Sequence, residues 1–114
     1  NKLKFAPLNP DSKLLPNRFD ILEPVYSNSD LIGPRQLNIA IVPLLAFDIQ
    51  LNRIGMGAGY YDRTFAFTKR QKNWRHPLLI GAAYSFQQVD ELQAQSWDVP
   101  LHTVITEQKS FRSY

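Results

Sequence analysis

Residues 53–63 read Arg-Ile-Gly-Met-Gly-Ala-Gly-Tyr-Tyr-Asp-Arg, and this stretch most limits what the 114-residue chain can fold into. Three glycines alternate with single residues. Glycine permits positive φ and lets a neighbour approach the backbone closely, so the stretch predicts a tight turn. Before it, residues 37–43 are nearly all apolar, with three β-branched side chains, and predict a strand buried on both faces. After it, residues 60–72 lack Gly and Pro and predict a helix. Tyr61 and Phe65, four apart, are expected to share its buried face. Pro77 ends that helix, residues 78–84 predict a second buried strand, and residues 104–106 a third. Strand, Gly-rich turn, helix, strand is the order of a βαβ unit. The fold class that follows is α/β: a mostly parallel sheet covered by helices in three layers, with a Gly-rich phosphate turn between a strand and a helix.

The remainder is less regular. Residues 3–5 predict a short strand, and residues 6–36 carry many turn formers and predict irregular or short-strand structure. Residues 48–52 predict a hairpin connection, and residues 87–93 a short helical turn. A chain of this length is one domain, residues 1–114. It has no cysteine, which excludes disulfides, thiolate metal sites and cysteine nucleophiles and fits a reducing, cytoplasmic compartment. No apolar run approaches the ~20 residues of a membrane helix, so no membrane contact is expected. The first residue, Asn1, is not methionine, and the natural chain is expected to start elsewhere.

Net charge is +3, from 13 Lys+Arg against 10 Asp+Glu. Arg63, Lys69, Arg70, Lys72 and Arg75 follow one another without an intervening acid. Such a run is either a solvated helix face or a patch that favours an anionic ligand. Trp74 within it offers a stacking surface, so nucleic-acid binding is the minor alternative. No nucleic-acid motif accompanies the patch, and no nucleic-acid partner is expected.

The glycine-rich turn carries the chemistry. Consecutive amides in such a turn cradle an anion, and a following helix adds free N–H groups. The spacing is neither that of a dinucleotide-binding fingerprint nor that of a Walker A loop. Asp62 lies about one helical turn beyond the cradle and would repel a phosphate unless a cation lies between them. Mg²⁺ performs this task with one or two carboxylates plus phosphate oxygens. Asp98, just before the third strand, is the candidate second carboxylate. The plainer readings are helix capping for Asp62 and turn capping for Asp98.

Residues 42–48 and 52–63 resemble the 5-formyltetrahydrofolate cyclo-ligase family. The likeness extends to residues 17–24, 77–84, 97–101 and 104–106, in the same order. It implies ATP-dependent cyclisation of 5-formyltetrahydrofolate to 5,10-methenyltetrahydrofolate, with ADP and phosphate as the other products. It further implies that Arg53, Ile54, Gly55, Met56, Gly57, Ala58, Gly59, Tyr60 and Tyr61 line the ATP phosphates, and that Met56 through Tyr60 also touch the folate. Arg53 would offset charge on the transferred phosphoryl group, and Asp62 and Asp98 would hold Mg²⁺. Some members carry a lysine where this chain has Ala58. The family's N-terminal part, with a Lys/Arg pair that grips ATP, has no counterpart here. The chain therefore resembles the C-terminal portion, and the missing segment is an expected partner, in the same polypeptide or as a separate chain. A non-catalytic ATP- or folate-binding fragment is the alternative.

Overall fold

The structure is a computed structural model that describes residues 2–71 and 76–112. Its centre is a four-stranded sheet in the order β3 (Ile39–Val42), β6 (Leu78–Ala82), β7 (Thr103–Ile105) and β8 (Ser110–Arg112). The β3–β6 and β6–β7 pairs are parallel and β7–β8 is antiparallel. The first three are the strands expected from sequence, each shorter or shifted by one or two residues at its ends. Two antiparallel hairpins lie outside this sheet: β1 (Leu14–Pro16) with β2 (Leu22–Pro24), and β4 (Ala46–Phe47) with β5 (Arg53–Ile54). Phe5 makes only an isolated bridge to Ile32, so the expected strand at residues 3–5 is a single contact.

The crossover from β3 to β6 carries the glycine turn, α1 (Tyr60–Thr64) and a 3-10 turn at Ala66–Arg70. One long helix over residues 60–72 was the expectation. The threonines account for the break. The Thr64 hydroxyl donates to Tyr60 O at 2.6 Å and the Thr68 hydroxyl to Phe65 O at 2.7 Å. Such bonds compete with helix continuation. Lys72, Trp74 and Arg75 lie outside the described residues, and with them the end of the expected helix and part of the basic run. Tyr61 and Phe65 do share a face, with ring centroids 6.5 Å apart. Residues 87–93 are not a helical turn. A 3-10 turn ends at Gln87, and the chain then runs beside β4, because Phe47 O accepts from Val89 N and Asp48 from Leu92 N.

The core lies on one face of the sheet. Val42, Leu79 and Val104 point there and meet Phe47, Phe65 and Leu101. Gly81 belongs to this packing, since a Cβ on it would lie 2.7 Å from Leu101 Cδ1 and 2.9 Å from Leu44 Cδ2. The other face departs from the expectation of strands buried on both sides. Ile39, Ile41 and Ile105 are 55%, 60% and 48% exposed. The register sets Ile39 beside Leu78, Ile41 beside Ile80 and Ala82 beside Ile105, which makes one continuous apolar surface. The buried residues of these strands, Ala40, Val42, Leu79, Gly81 and Val104, all lie opposite, so the described residues form a mixed sheet covered mainly on one side. Parallel sheets are ordinarily covered on both. No helix among the described residues is long and apolar enough to cross a membrane.

Candidate functional site

The β4–β5 hairpin aims the glycine turn, and Asp48 holds the hairpin. Its carboxylate is buried and accepts four hydrogen bonds. Oδ1 takes the N–H groups of Gln50 and Asn52, and Oδ2 takes Asn52 Nδ2 and Leu92 N, all at 3.0–3.1 Å. This set lets Leu51 hold a positive φ of 69°, with its side chain in the core and its carbonyl accepting from Leu101 N. Burial pushes the Asp48 carboxyl up, but the four donors outweigh it and hold the group below its ordinary value. Stability of this origin is complete above the unfolded pKa, about 3.9, and is lost as pH falls through the folded one. Asp48→Asn places an amide NH₂ against donors. It is expected to destabilise the fold by about 1.5–3 kcal/mol at neutral pH. Denaturation followed by circular dichroism at several pH values should show that gap shrinking below about pH 4. A gap as wide at pH 3 as at pH 7 would contradict the assignment.

Beyond the hairpin, residues 53–62 all line one cavity of about 480 Å³, and Asp98 lines it too. Every residue that the family resemblance points to for ATP, folate or Mg²⁺ therefore lines this one cavity. The three glycines do different things there. A Cβ on Gly55 would lie 2.8 Å from Arg53 Nη1, and one on Gly59 would lie 2.7 Å from Arg63 Nη1. These two glycines make room for arginine side chains. Gly57, at φ +94°, has no atom within 4 Å of where a Cβ would stand, so it opens onto empty space.

Arg53 and Asp62 are an ion pair. Arg53 Nη2 donates to Asp62 Oδ1 at 3.0 Å, with side-chain exposures of 7% and 18%. The Arg53 guanidinium carbon lies 5.7 Å from the centre of the Tyr61 ring, and its buried Nε has no hydrogen-bond partner. Burial pushes the Tyr61 phenol above its ordinary pKa, opposed by the Arg53 charge, so the hydroxyl stays protonated at neutral pH. Asp62 Oδ1 also accepts from Val99 N at 2.9 Å, which ties α1 to the loop that bears Asp98. Asp98 Oδ2 accepts from Gln95 N at 2.8 Å, so its turn-capping reading holds as well.

Two further cavities adjoin the first. One, of about 390 Å³, shares Gly57, Ala58, Gly59, Asp62 and Trp97 with it and adds Arg63 and Lys69. The other is a groove of about 1060 Å³ that shares Leu3 and Tyr60 and adds Phe5, Phe19 and Tyr26 with Lys2, Lys4 and Arg18. The turn residues Gly57, Ala58 and Gly59 thus border the cationic cavity, and Tyr60, which follows them, borders the groove rich in aromatics. Sequence reasoning missed Trp97 and residues 92–94 as cavity walls. The run Trp97-Asp98 was a signal for the first, whereas residues 92–94 reach the site only because Asp48 draws Leu92 in.

The sequence model of the 5-formyltetrahydrofolate cyclo-ligase family matches residues 1–107. A 5-formyltetrahydrofolate cyclo-ligase of Escherichia coli is 38% identical over 109 residues, which is 94% of this chain and 57% of that protein. One from Haemophilus influenzae is 39% identical over 105 residues, covering 90% of this chain and 53% of its own length. The NMR structure of the Aquifex aeolicus 5,10-methenyltetrahydrofolate synthetase superposes with a TM-score of 0.70 at 36% identity, over 91% of this chain and 48% of that one. The chain thus spans about half the length of the relatives it matches. With the family model matched over residues 1–107 and relatives 38–39% identical over at least nine-tenths of it, the chain belongs to the 5-formyltetrahydrofolate cyclo-ligase family.

Proposed function

We propose that this chain is the nucleotide-binding portion of an ATP- and Mg²⁺-dependent enzyme that closes 5-formyltetrahydrofolate to 5,10-methenyltetrahydrofolate, releasing ADP and phosphate in the cytoplasm. The observation that carries the reading is the gathering of residues 53–62 and Asp98 around one cavity, with Gly57 open to it. The reaction needs a formyl oxygen held in line with the γ-phosphorus while water is kept away. A cationic cavity and an aromatic groove that both adjoin the central cavity suit that demand, with nucleotide in the first and folate in the second. The groove's lysines and arginine suit the carboxylates of a folate, and its aromatic rings suit the flat pterin.

The chain's own groups divide the work. Backbone amides of residues 55–59 receive the phosphates. The helix adds little, because α1 is only five residues long. Arg53 holds Asp62 in place and puts positive charge beneath the turn. Tyr61 offers a protonated hydroxyl beside that charge. Asp62 and Asp98 are the groups that would hold Mg²⁺, and the donor set fits. Both line the cavity, and Mg²⁺ takes one or two carboxylates with phosphate oxygens and water filling the rest. Bound there, the ion would neutralise charge on the transferred phosphoryl group.

Titration calorimetry with ATP tests the reading. Asp98→Asn is expected to weaken ATP binding about tenfold in Mg²⁺ and to leave binding in excess chelator unchanged. The same loss with and without Mg²⁺ would remove Asp98 from the metal site. The second reading, a fragment that binds but does not turn over, is favoured by the half-exposed sheet face and the half-length match.

A further inference from the structure

We propose that Trp97 is the stacking surface for the base of the nucleotide, which occupies the cationic cavity. This rests on the nucleotide reading above and assigns a binding residue that the glycine turn does not contain. The Trp97 side chain is 65% exposed, yet it lines both the cavity around Asp98 and the cationic one.

Its exposure does not come from a loose loop. Gln95 N donates to Asp98 Oδ2 at 2.8 Å and Asp98 N donates to Gln95 O at 3.0 Å, closing a turn with Trp97 inside it. Val99 N is tied to Asp62 on one side, and Lys69 Nζ donates to Ser96 O on the other. The backbone on both sides of the indole is thus bonded to the crossover. A large apolar ring held out by a pinned turn loses little freedom when a ligand covers it.

The surroundings select the ligand. Arg63 and Lys69 line this cavity against the single carboxylate of Asp62. Arg63 is steadied by a bond from Nη2 to Ala58 O at 2.6 Å and lies with its guanidinium carbon 5.5 Å from the Tyr60 ring centre. Two cations, the backbone of the glycine turn and one indole face match a phosphate joined to a flat heteroaromatic base. A volume of about 390 Å³ is in the range of small-ligand sites. Base-on-aromatic stacking tolerates any base, so the site selects nucleoside phosphates as a class rather than adenine alone.

The experiment compares ATP with inorganic tripolyphosphate, which has the charge and no base. Binding of each is measured by calorimetry to the native chain, Trp97→Ala and Trp97→Phe, with circular dichroism to check the fold. The expected result is a loss of ATP affinity between about fivefold and a hundredfold in Trp97→Ala, recovery to within about threefold in Trp97→Phe, and unchanged tripolyphosphate affinity in both. Undiminished ATP binding in Trp97→Ala overturns the proposal. So does an equal loss for tripolyphosphate, which would mean that Trp97 shapes the turn and not the base site. Tripolyphosphate and ATP both failing to bind the native chain would bring down the nucleotide reading itself, and this assignment with it.

Discussion

Gly57→Val is expected to cost at least tenfold in ATP affinity while the fold loses only about 1–2 kcal/mol. The two effects separate because of where a side chain would go. No atom lies within 4 Å of a Cβ at Gly57, so valine meets no neighbour in the protein. It meets whatever approaches the turn from the cavity. The fold pays only for a β-branched residue at φ +94°, in an exposed turn that can adjust. Gly81→Val gives the opposite pattern. There the new side chain runs into Leu101 and Leu44 in the core, and the cost falls on stability, about 1–3 kcal/mol or more. Calorimetry for ATP and thermal melting on both variants form the comparison. Native ATP affinity in Gly57→Val would end the phosphate-cradle reading.

A second large effect is expected for turnover. Residues 1–114 alone should convert 5-formyltetrahydrofolate at least about a hundredfold more slowly than a polypeptide that also carries the portion of the relatives with no counterpart here. A misplacement of about 1 Å at the reacting atoms is enough for such a loss. Two features point that way. The apolar face formed by Ile39, Ile41 and Ile105 is about half exposed among the described residues. The β1–β2 hairpin also shows Leu15, Phe19, Ile21 and Leu22 to solvent, beside the groove assigned to folate. Both surfaces would gain a partner from the additional portion, and the groove would lose water that competes for an activated formyl group. Methenyl product absorbance, followed with ATP and Mg²⁺ present, measures the ratio. Equal rates for the two polypeptides would show that the ATP grip lies wholly within residues 1–114.

The candidate site was legible in the sequence because its residues are nearly contiguous. Residues 53–62 run unbroken from β5 through the glycine turn into α1, so they are neighbours in space whatever packs around them. Only Asp98 had to be brought from a distance, and it lines the same cavity as Asp62. The glycines were legible as a group and not one by one. Arg53 and Arg63 lie against Gly55 and Gly59 and leave Gly57 facing the cavity, which depends on side-chain directions that spacing does not carry. The helix was overestimated for a similar reason. Absence of Gly and Pro over residues 60–72 permits a helix, but the Thr64 and Thr68 hydroxyls bond to the backbone and shorten it.

Local sequence by itself determined the order of strand, hairpin, glycine turn and strand, because β-branched runs and glycines constrain the backbone where they stand. It determined which residues stand in the turn for the same reason. Tertiary structure alone decided which face of the sheet is covered, since alternate residues of β3 are equally apolar and only the side taken by the crossover distinguishes Val42 from Ile41. It also decided that Asp48 is a buried anchor, that Asp62 spends one oxygen on Arg53 and Val99, and that Trp97 stands at the mouth of two cavities. Each of these depends on a partner distant in sequence or on the path of the chain between strands. Burial and pairing are properties of the packed chain, so residue type could name the candidates while only the packing could assign their partners.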